Sequence, residues 1–197
     1  MKKIICLLLI VVLFGFLVSC KNDEDKKEKT KEELVNELLD KEYSSVSITR
    51  IVGNNERTLQ SSYSLVNESN KIILTYEIES FNQLSLDNPD IQEKSIKRGK
   101  IEYSNGKKSI IEGEDINIDL NSLSLSSLKF DENDFDKITI NDNEVTIEVA
   151  NAKKYLKSDN DILEFSMIIK YSENEINKVI INYRDQGYSV TIIYDVK

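Results

Sequence analysis

Apolar residues recur at every second position along most of the chain after Tyr43, and this period of two constrains the fold more than any other feature. Successive side chains of a strand point to opposite faces, so each run predicts a strand with one buried face and one solvated face. The runs are Val46–Ile48, Leu59–Leu65, Ile72–Ile78, Ile101–Tyr103, Ile116–Leu120, Ile138–Ile140, Val145–Val149, Leu163–Tyr171, Val179–Tyr183 and Tyr188–Val196.

Short polar turns separate several of these runs and predict an antiparallel meander. Asn105-Gly106 is a hairpin signal because both residues tolerate positive φ, and Asn141–Asn143 and Gln186-Gly187 mark two further turns. The stretch Ser80–Gly99 contains Pro89 and little periodicity, so it is expected to form a long loop or flap.

Three segments are expected to be helical. Thr30–Asp40 begins with a capping box, Thr30 and Glu33, and carries one apolar stripe at helical spacing. That stripe is interpreted as covering the core, with a partner-binding helix as the alternative. Asn121–Asp136 and Asn151–Lys157 are expected to hold short helices.

The first twenty residues have the organisation of an export signal. Lys2 and Lys3 precede the apolar run Ile4–Val18, which is too short for a comfortable membrane span. The run ends in Leu17-Val18-Ser19-Cys20, which resembles the lipobox of bacterial lipoproteins. That resemblance implies a diacylglyceryl group on the Cys20 sulfur, further acylation such as palmitate, and cleavage before Cys20. An ordinary secretory signal or an uncleaved short anchor is the alternative.

These features predict three regions: a signal peptide at 1–19, a lipidated cysteine with a charged flexible tether at 20–29, and a single β-rich extracytoplasmic domain at 30–197. The signal peptide carries two lysines and no acids, so the mature chain keeps 24 basic against 35 acidic residues, a net charge of −11. This charge argues against nucleic acid as a partner and against flat docking on anionic lipid. The expected location is a bacterial membrane, held through the lipid on Cys20.

Most catalytic chemistries are missing. The chain has no histidine, and both of its cysteines, Cys6 and Cys20, lie at the export signal, so an enzyme, a cofactor and a metal site are not expected. Ser104–Lys107 and Ser126–Lys129 match Ser-x-x-Lys, but no partner motif accompanies them. Two acidic clusters, 131–136 and 159–161, lack the glycine of a calcium loop and are interpreted as solvated turns, with weak calcium contact as the alternative.

The lipobox, the tether, the leading helix and the final meander, including Arg184–Gly187 leading into Ser189–Ile192, resemble the lipoprotein-carrier superfamily of LolA/LolB-like proteins. The resemblance covers most of the mature chain but includes no diagnostic motif. It implies a mainly β fold with a few helices: a curled antiparallel sheet, or half-barrel, with an N-terminal helix and short helical lid segments. It also implies that the concave apolar face binds lipid acyl chains.

The first functional hypothesis is therefore a non-enzymatic lipoprotein that binds or carries a hydrophobic or lipid ligand. Side chains of one parity are the candidates for lining its site. They are Leu74, Tyr76, Ile78, Phe165, Met167, Ile169, Ile181, Tyr183, Val190 and Ile192. The alternative is a structural or interaction lipoprotein in which these residues fill a core and loops bind a protein partner.

Overall fold

A computed structural model describes residues 29–54, 57–83, 92–131 and 134–197 of the 197-residue chain. The predicted signal peptide, Cys20 and the tether up to residue 28 lie outside the described residues. Residues 31–197 form one compact unit.

In the described residues, ten antiparallel strands form one sheet that is not closed, and helical segments are few, so the predicted mainly β antiparallel fold is confirmed. The strands are β1 (Ser45–Gly53), β2 (Thr58–Glu68), β3 (Lys71–Gln83), β4 (Gln92–Ser104), β5 (Lys107–Gly113), β6 (Phe135–Asn141), β7 (Glu144–Val149), β8 (Ile162–Ser172), β9 (Glu175–Asp185) and β10 (Tyr188–Val196). The helices are α1 (Lys31–Leu39), the 3₁₀ turns η1 (Leu120–Leu123) and η2 (Leu125–Leu128), and α2 (Ala152–Tyr155).

The strand order is β5-β4-β3-β2-β1-β10-β9-β8-β7-β6, two meanders joined where the first strand meets the last. Val46 of β1 pairs with Val196 of β10, and the pairing continues to Gly53 opposite Ser189. The predicted turns are confirmed: Asn105-Gly106 joins β4 to β5 and Gln186-Gly187 joins β9 to β10, all four residues with positive φ.

The loop expected at Ser80–Gly99 is wrong over most of its length. β3 runs to Gln83 and β4 starts at Gln92, so only residues 84–91, outside the described part, remain between them. This end of the hairpin carries charged pairs instead of apolar alternation: Lys94 lies 2.8 Å from Glu79, and Arg98 lies 2.7 Å from Glu77. The strands therefore gave no period-two hydrophobic signal.

Two other patterns misled the prediction. Ile116–Leu120 alternates like a strand, but residues 114–119 have no regular structure and their apolar side chains pack on the core. Leu163 shares its period with Met167, yet a bulge in β8 between the pairs at Leu163 and Ser166 shifts the phase. Leu163 is consequently 62% exposed, whereas Met167 is buried.

Candidate functional site

One face of the sheet, called the inner face below, carries the hydrophobic core. The six most buried of the predicted lining residues are at most 3% exposed: Leu74, Tyr76, Met167, Ile169, Ile181 and Val190. Ile78, Phe165, Tyr183 and Ile192 are half-buried. The predicted set thus combines core residues with a smaller group that solvent still reaches.

Helical segments pack with four residues of the first group. Val35, Leu38 and Leu39 of α1 and three leucines of η1 and η2 belong to the same core cluster as Leu74, Met167, Ile169 and Ile181. Asn36 fixes the cover by a reciprocal pair of hydrogen bonds: its Nδ2 donates to the Phe130 carbonyl at 2.9 Å, and its Oδ1 accepts from the Phe130 amide at 3.0 Å. The segment that follows η2 is therefore joined to α1 through the Asn36 side chain.

An aromatic cluster fills the inner face near β6 and β8. The rings of Phe130 and Tyr155 stack at 4.6 Å, and Phe165 meets Tyr155 edge-on at 5.5 Å. The Tyr155 hydroxyl donates to the Leu128 carbonyl at 2.8 Å, and burial raises the pKa of Tyr155. Phe165, one of the predicted lining residues, is therefore engaged in this cluster.

Asp134 is the buried charged residue beside this cluster, 8% exposed. Its carboxylate accepts from Lys154 Nζ at 2.9 Å and from the Asp131 amide at 3.0 Å. The hydrogen bond from Lys154, followed by that from the Asp131 amide, lowers the pKa of Asp134. Within the acidic cluster, Asp134 thus forms an ion pair with Lys154 and accepts a hydrogen bond from the Asp131 amide.

A groove of about 530 Å³ opens between η1–η2 and the near ends of β1–β3. Its floor is apolar and includes the inner-face residues Val46, Leu65 and Ile72. Its rim carries the polar residues Asp40, Lys41, Glu42, Asn121 and Ser126. The groove therefore leads from solvent to the edge of the core beneath the helical cover.

A second accessible area lies farther along β1, where Arg50 follows the buried inner-face residues Val46 and Ile48 at the same parity. Arg50 is exposed, and its cross-strand neighbours are Ile192 of β10 and Ser61 of β2. Ile78 of β3 lies opposite Ser61. Val46 and Arg50 are four residues apart, so roughly 14 Å of strand separates the groove from this area.

Sequence reasoning missed Arg50. The signal was present, because Arg50 occupies a period-two position between Ile48 and Val52, where an apolar residue is expected. A cation at such a position marks either a break in the core or a binding group. The groove could not be found this way, since its lining comes from three separate parts of the chain.

Residues of the two Ser-x-x-Lys matches and of the acidic cluster at 159–161 are engaged in a turn and in ion pairs. Ser104 and Lys107 pair across the Asn105-Gly106 turn, and Lys129 Nζ lies 2.5 Å from Asp40. Asp161 lies 3.4 Å from Lys153 Nζ. Within the described ranges no group of three acidic or sulfur ligands is placed to hold a metal ion.

The comparisons with known proteins give no family assignment. No protein-family model matches the chain, and no curated protein matches it significantly. No helix in the part of the chain that the structure describes is long and apolar enough to span a bilayer.

Proposed function

We propose that this protein is a lipid-anchored, extracytoplasmic, non-enzymatic lipoprotein that binds a hydrophobic or lipid ligand on the inner face of its sheet. The anchor is supported by the basic start, the short apolar run and Cys20 after Leu17-Val18-Ser19. The lack of histidine, and of cysteine after Cys20, supports a binding role over catalysis.

The observation that carries the binding proposal is that solvent still reaches the inner face at two places. One is the groove over Val46, Leu65 and Ile72, whose volume of about 530 Å³ falls within the range of small-molecule sites. The other surrounds Arg50, where Ile78 and Ile192 are half-buried. Partly covered aliphatic side chains next to a covered core suit an acyl chain, because a bound chain removes their remaining surface from water.

The proposal includes a half-barrel shape and a lid. Antiparallel sheets coil because each strand is rotated relative to its neighbour, and ten strands accumulate much of this rotation. In the proposal the inner face is the concave one, and η1 and η2 are the lid over it. Their serine-rich 3₁₀ turns are held largely by local hydrogen bonds, such as Ser127 Oγ to the Ser124 carbonyl at 2.7 Å.

The alternative is an interaction lipoprotein that binds a protein partner through its loops. Two observations favour it. Six of the ten proposed lining residues are core, and the edge strand β5 leaves Ile110 and Ile111 about half exposed.

Binding of a fluorescent acyl probe to a chain of residues 21–197 tests the proposal. All residues of the described core cluster lie between Val35 and Val196, so this chain contains that cluster. We expect saturable binding that Ile78→Asp weakens at least tenfold, because a carboxylate opposes burial of the probe there. Leu163→Asp on the exposed surface is the matched control and should bind normally. Unsaturable or absent binding by the wild type contradicts the carrier proposal and leaves the interaction alternative.

The anchor has its own test. The intact mass of the protein extracted from membranes should correspond to a chain that begins at Cys20 and carries a diacylglyceryl group. Cys20→Ala should remain unprocessed or lose its membrane attachment. A mature chain that begins at another residue contradicts the proposal.

A further inference from the structure

Arg50 stands alone on the inner face of a central strand. β1 lies between β2 and β10, and the preceding inner-face positions, Val46 and Ile48, are 7% and 3% exposed. The Arg50 side chain is exposed, and its cross-strand neighbour Ile192 is half-buried. The guanidinium is therefore accessible to solvent next to the buried core.

Within the described residues the Arg50 side chain has no hydrogen-bond, ion-pair or aromatic-ring partner, unlike the side chains of the other three arginines. Arg98 Nε lies 2.7 Å from Glu77, Arg184 lies 3.2 Å from Glu164, and Arg57 lies over the Phe81 ring at 5.6 Å. The chain has 35 acidic residues, and most lysines near β3–β5 are ion-paired, so an unpaired arginine is unusual here. All five of its N–H donors are available to a ligand.

The neighbours of Arg50 on this face are apolar or hydroxylic. Ile192 flanks it on β10, Ser61 flanks it on β2, and Ile78 is one strand farther away. These cross-strand neighbours form a row across the inner face. The next charged side chain in that row is Lys97, which lies opposite Ile78 and whose Nζ lies 2.9 Å from Glu114. Among the described residues, this row thus presents one unpaired cation, Arg50, beside aliphatic side chains and a serine.

We infer that Arg50 binds the anionic head of an acyl amphiphile, a carboxylate or a phosphate, whose chain lies on the half-buried aliphatic side chains of the inner face. The planar guanidinium matches either oxyanion in a bidentate geometry. Ser61 Oγ, which forms no hydrogen bond within the described residues, is a second donor one strand away. This inference rests on the proposed function and adds the chemical class of its ligand.

The net charge of the domain does not conflict with an anionic ligand. At physiological ionic strength exposed charges are screened beyond about 8 Å. Once the ligand is bound, the Arg50 guanidinium in direct contact with it therefore makes the largest electrostatic contribution. The acidic surface acts mainly on the approach of an anion and slows its association. Arg50 then provides selectivity at the site itself.

The test uses the full, lipid-anchored protein in nanodiscs of zwitterionic phospholipid at pH 8. Two photoactivatable probes are compared, a diazirine-bearing palmitic acid and the matching diazirine-bearing alcohol, and adducts are quantified by intact mass and located by peptide mapping. We expect saturable labelling of the inner face, with about tenfold tighter apparent binding of the acid than of the alcohol. A lysophosphatidic acid probe shows whether a phosphate head is preferred to the carboxylate.

Arg50→Gln should abolish the difference between acid and alcohol, and Arg50→Lys should keep part of it. Arg184→Gln makes the same chemical change on an arginine bound to Glu164 and should leave the difference intact. Thermal unfolding of Arg50→Gln should match the wild type, because the side chain is exposed. Saturable labelling that is equal for the two probes, or unaffected by Arg50→Gln, overturns the inference and leaves the proposed function standing. Absence of saturable labelling by all probes overturns both.

Discussion

The ring of Tyr76 on β3 lies directly against the backbone of Gly99 on β4. A Cβ on Gly99 would stand 2.3 Å from the Tyr76 hydroxyl and 2.6 Å from its Cζ. The two residues are cross-strand partners, and the Tyr76 hydroxyl donates to the Glu114 carbonyl in the segment that crosses the inner face after β5. The missing side chain of Gly99 thus makes room for an aromatic ring that is 2% exposed.

Gly99→Ala should therefore lower the free energy of unfolding by about 1–3 kcal/mol, the usual cost of overpacking a core. Chemical denaturation measures this. In a Tyr76→Ala background the same change should cost less, because the clash with the ring is gone and the 2.7 Å approach of the Cβ to the Glu112 carbonyl oxygen remains. Equal costs in the two backgrounds would show that the glycine is required for another reason.

Met167 distinguishes a core residue from a cavity-lining residue. It is fully buried in the cluster formed by the sheet and its helical cover. Met167→Ala should reduce stability by about 2–5 kcal/mol. Leu163 lies four residues before Met167 on β8 but is 62% exposed. Leu163→Ala should therefore change stability by less than about 1 kcal/mol. A small loss for Met167→Ala would instead support a site that is only loosely filled.

The period of two predicted the strands because one face of each is buried, and it failed where that condition fails. Toward the far ends of β3 and β4 the described side chains are half-buried or exposed on both faces and form ion pairs such as Lys94–Glu79, so no alternation marks them. Ile116–Leu120 alternates, but its apolar side chains pack on the core without forming a strand. The pairing of β1 with β10 depends on contacts between residues about 150 positions apart, on which local patterns carry no information.

The candidate site was predictable only in part, for a similar reason. Parity correctly assigned Ile78 and Ile192 to one face of their strands, but it could not show that they are only half-buried while Leu74 and Met167 on the same face are fully buried. Burial of Leu74 and Met167 is set by leucines from α1, η1 and η2, which are distant in sequence. Arg50 was detectable as a charged residue at a position where the period of two predicts an apolar one. Only the structure shows that its side chain has no partner among the described residues.

Asp134 should make stability depend on acidity. Hydrogen bonds from Lys154 and the Asp131 amide lower its pKa, so its contribution is fully present above the unfolded-state pKa, near 3.9, and is lost as pH falls through the lower folded-state value. Asp134→Asn should reduce stability at pH 7 and weaken its decline below about pH 4. Denaturant midpoints between pH 2 and pH 7 measure both effects. Asp159→Asn, an exposed acid with no ion pair among the described residues, is the control and should follow the wild-type profile.

Glu164 is the residue whose backbone conformation is least suited to its side chain. It lies in the bulge of β8 with φ of 53°, in the left-handed region, whereas the other non-glycine residues with positive φ lie outside the strands. A residue with a Cβ loses roughly 1 kcal/mol there compared with glycine. Glu164→Gly should therefore raise the free energy of unfolding by about 0.5–1 kcal/mol, even though it removes an exposed ion pair with Arg184 that contributes little. Glu164→Ala removes the same ion pair but keeps the Cβ, so it should bring no gain. If both variants lose stability equally, the ion pair matters more than the backbone conformation.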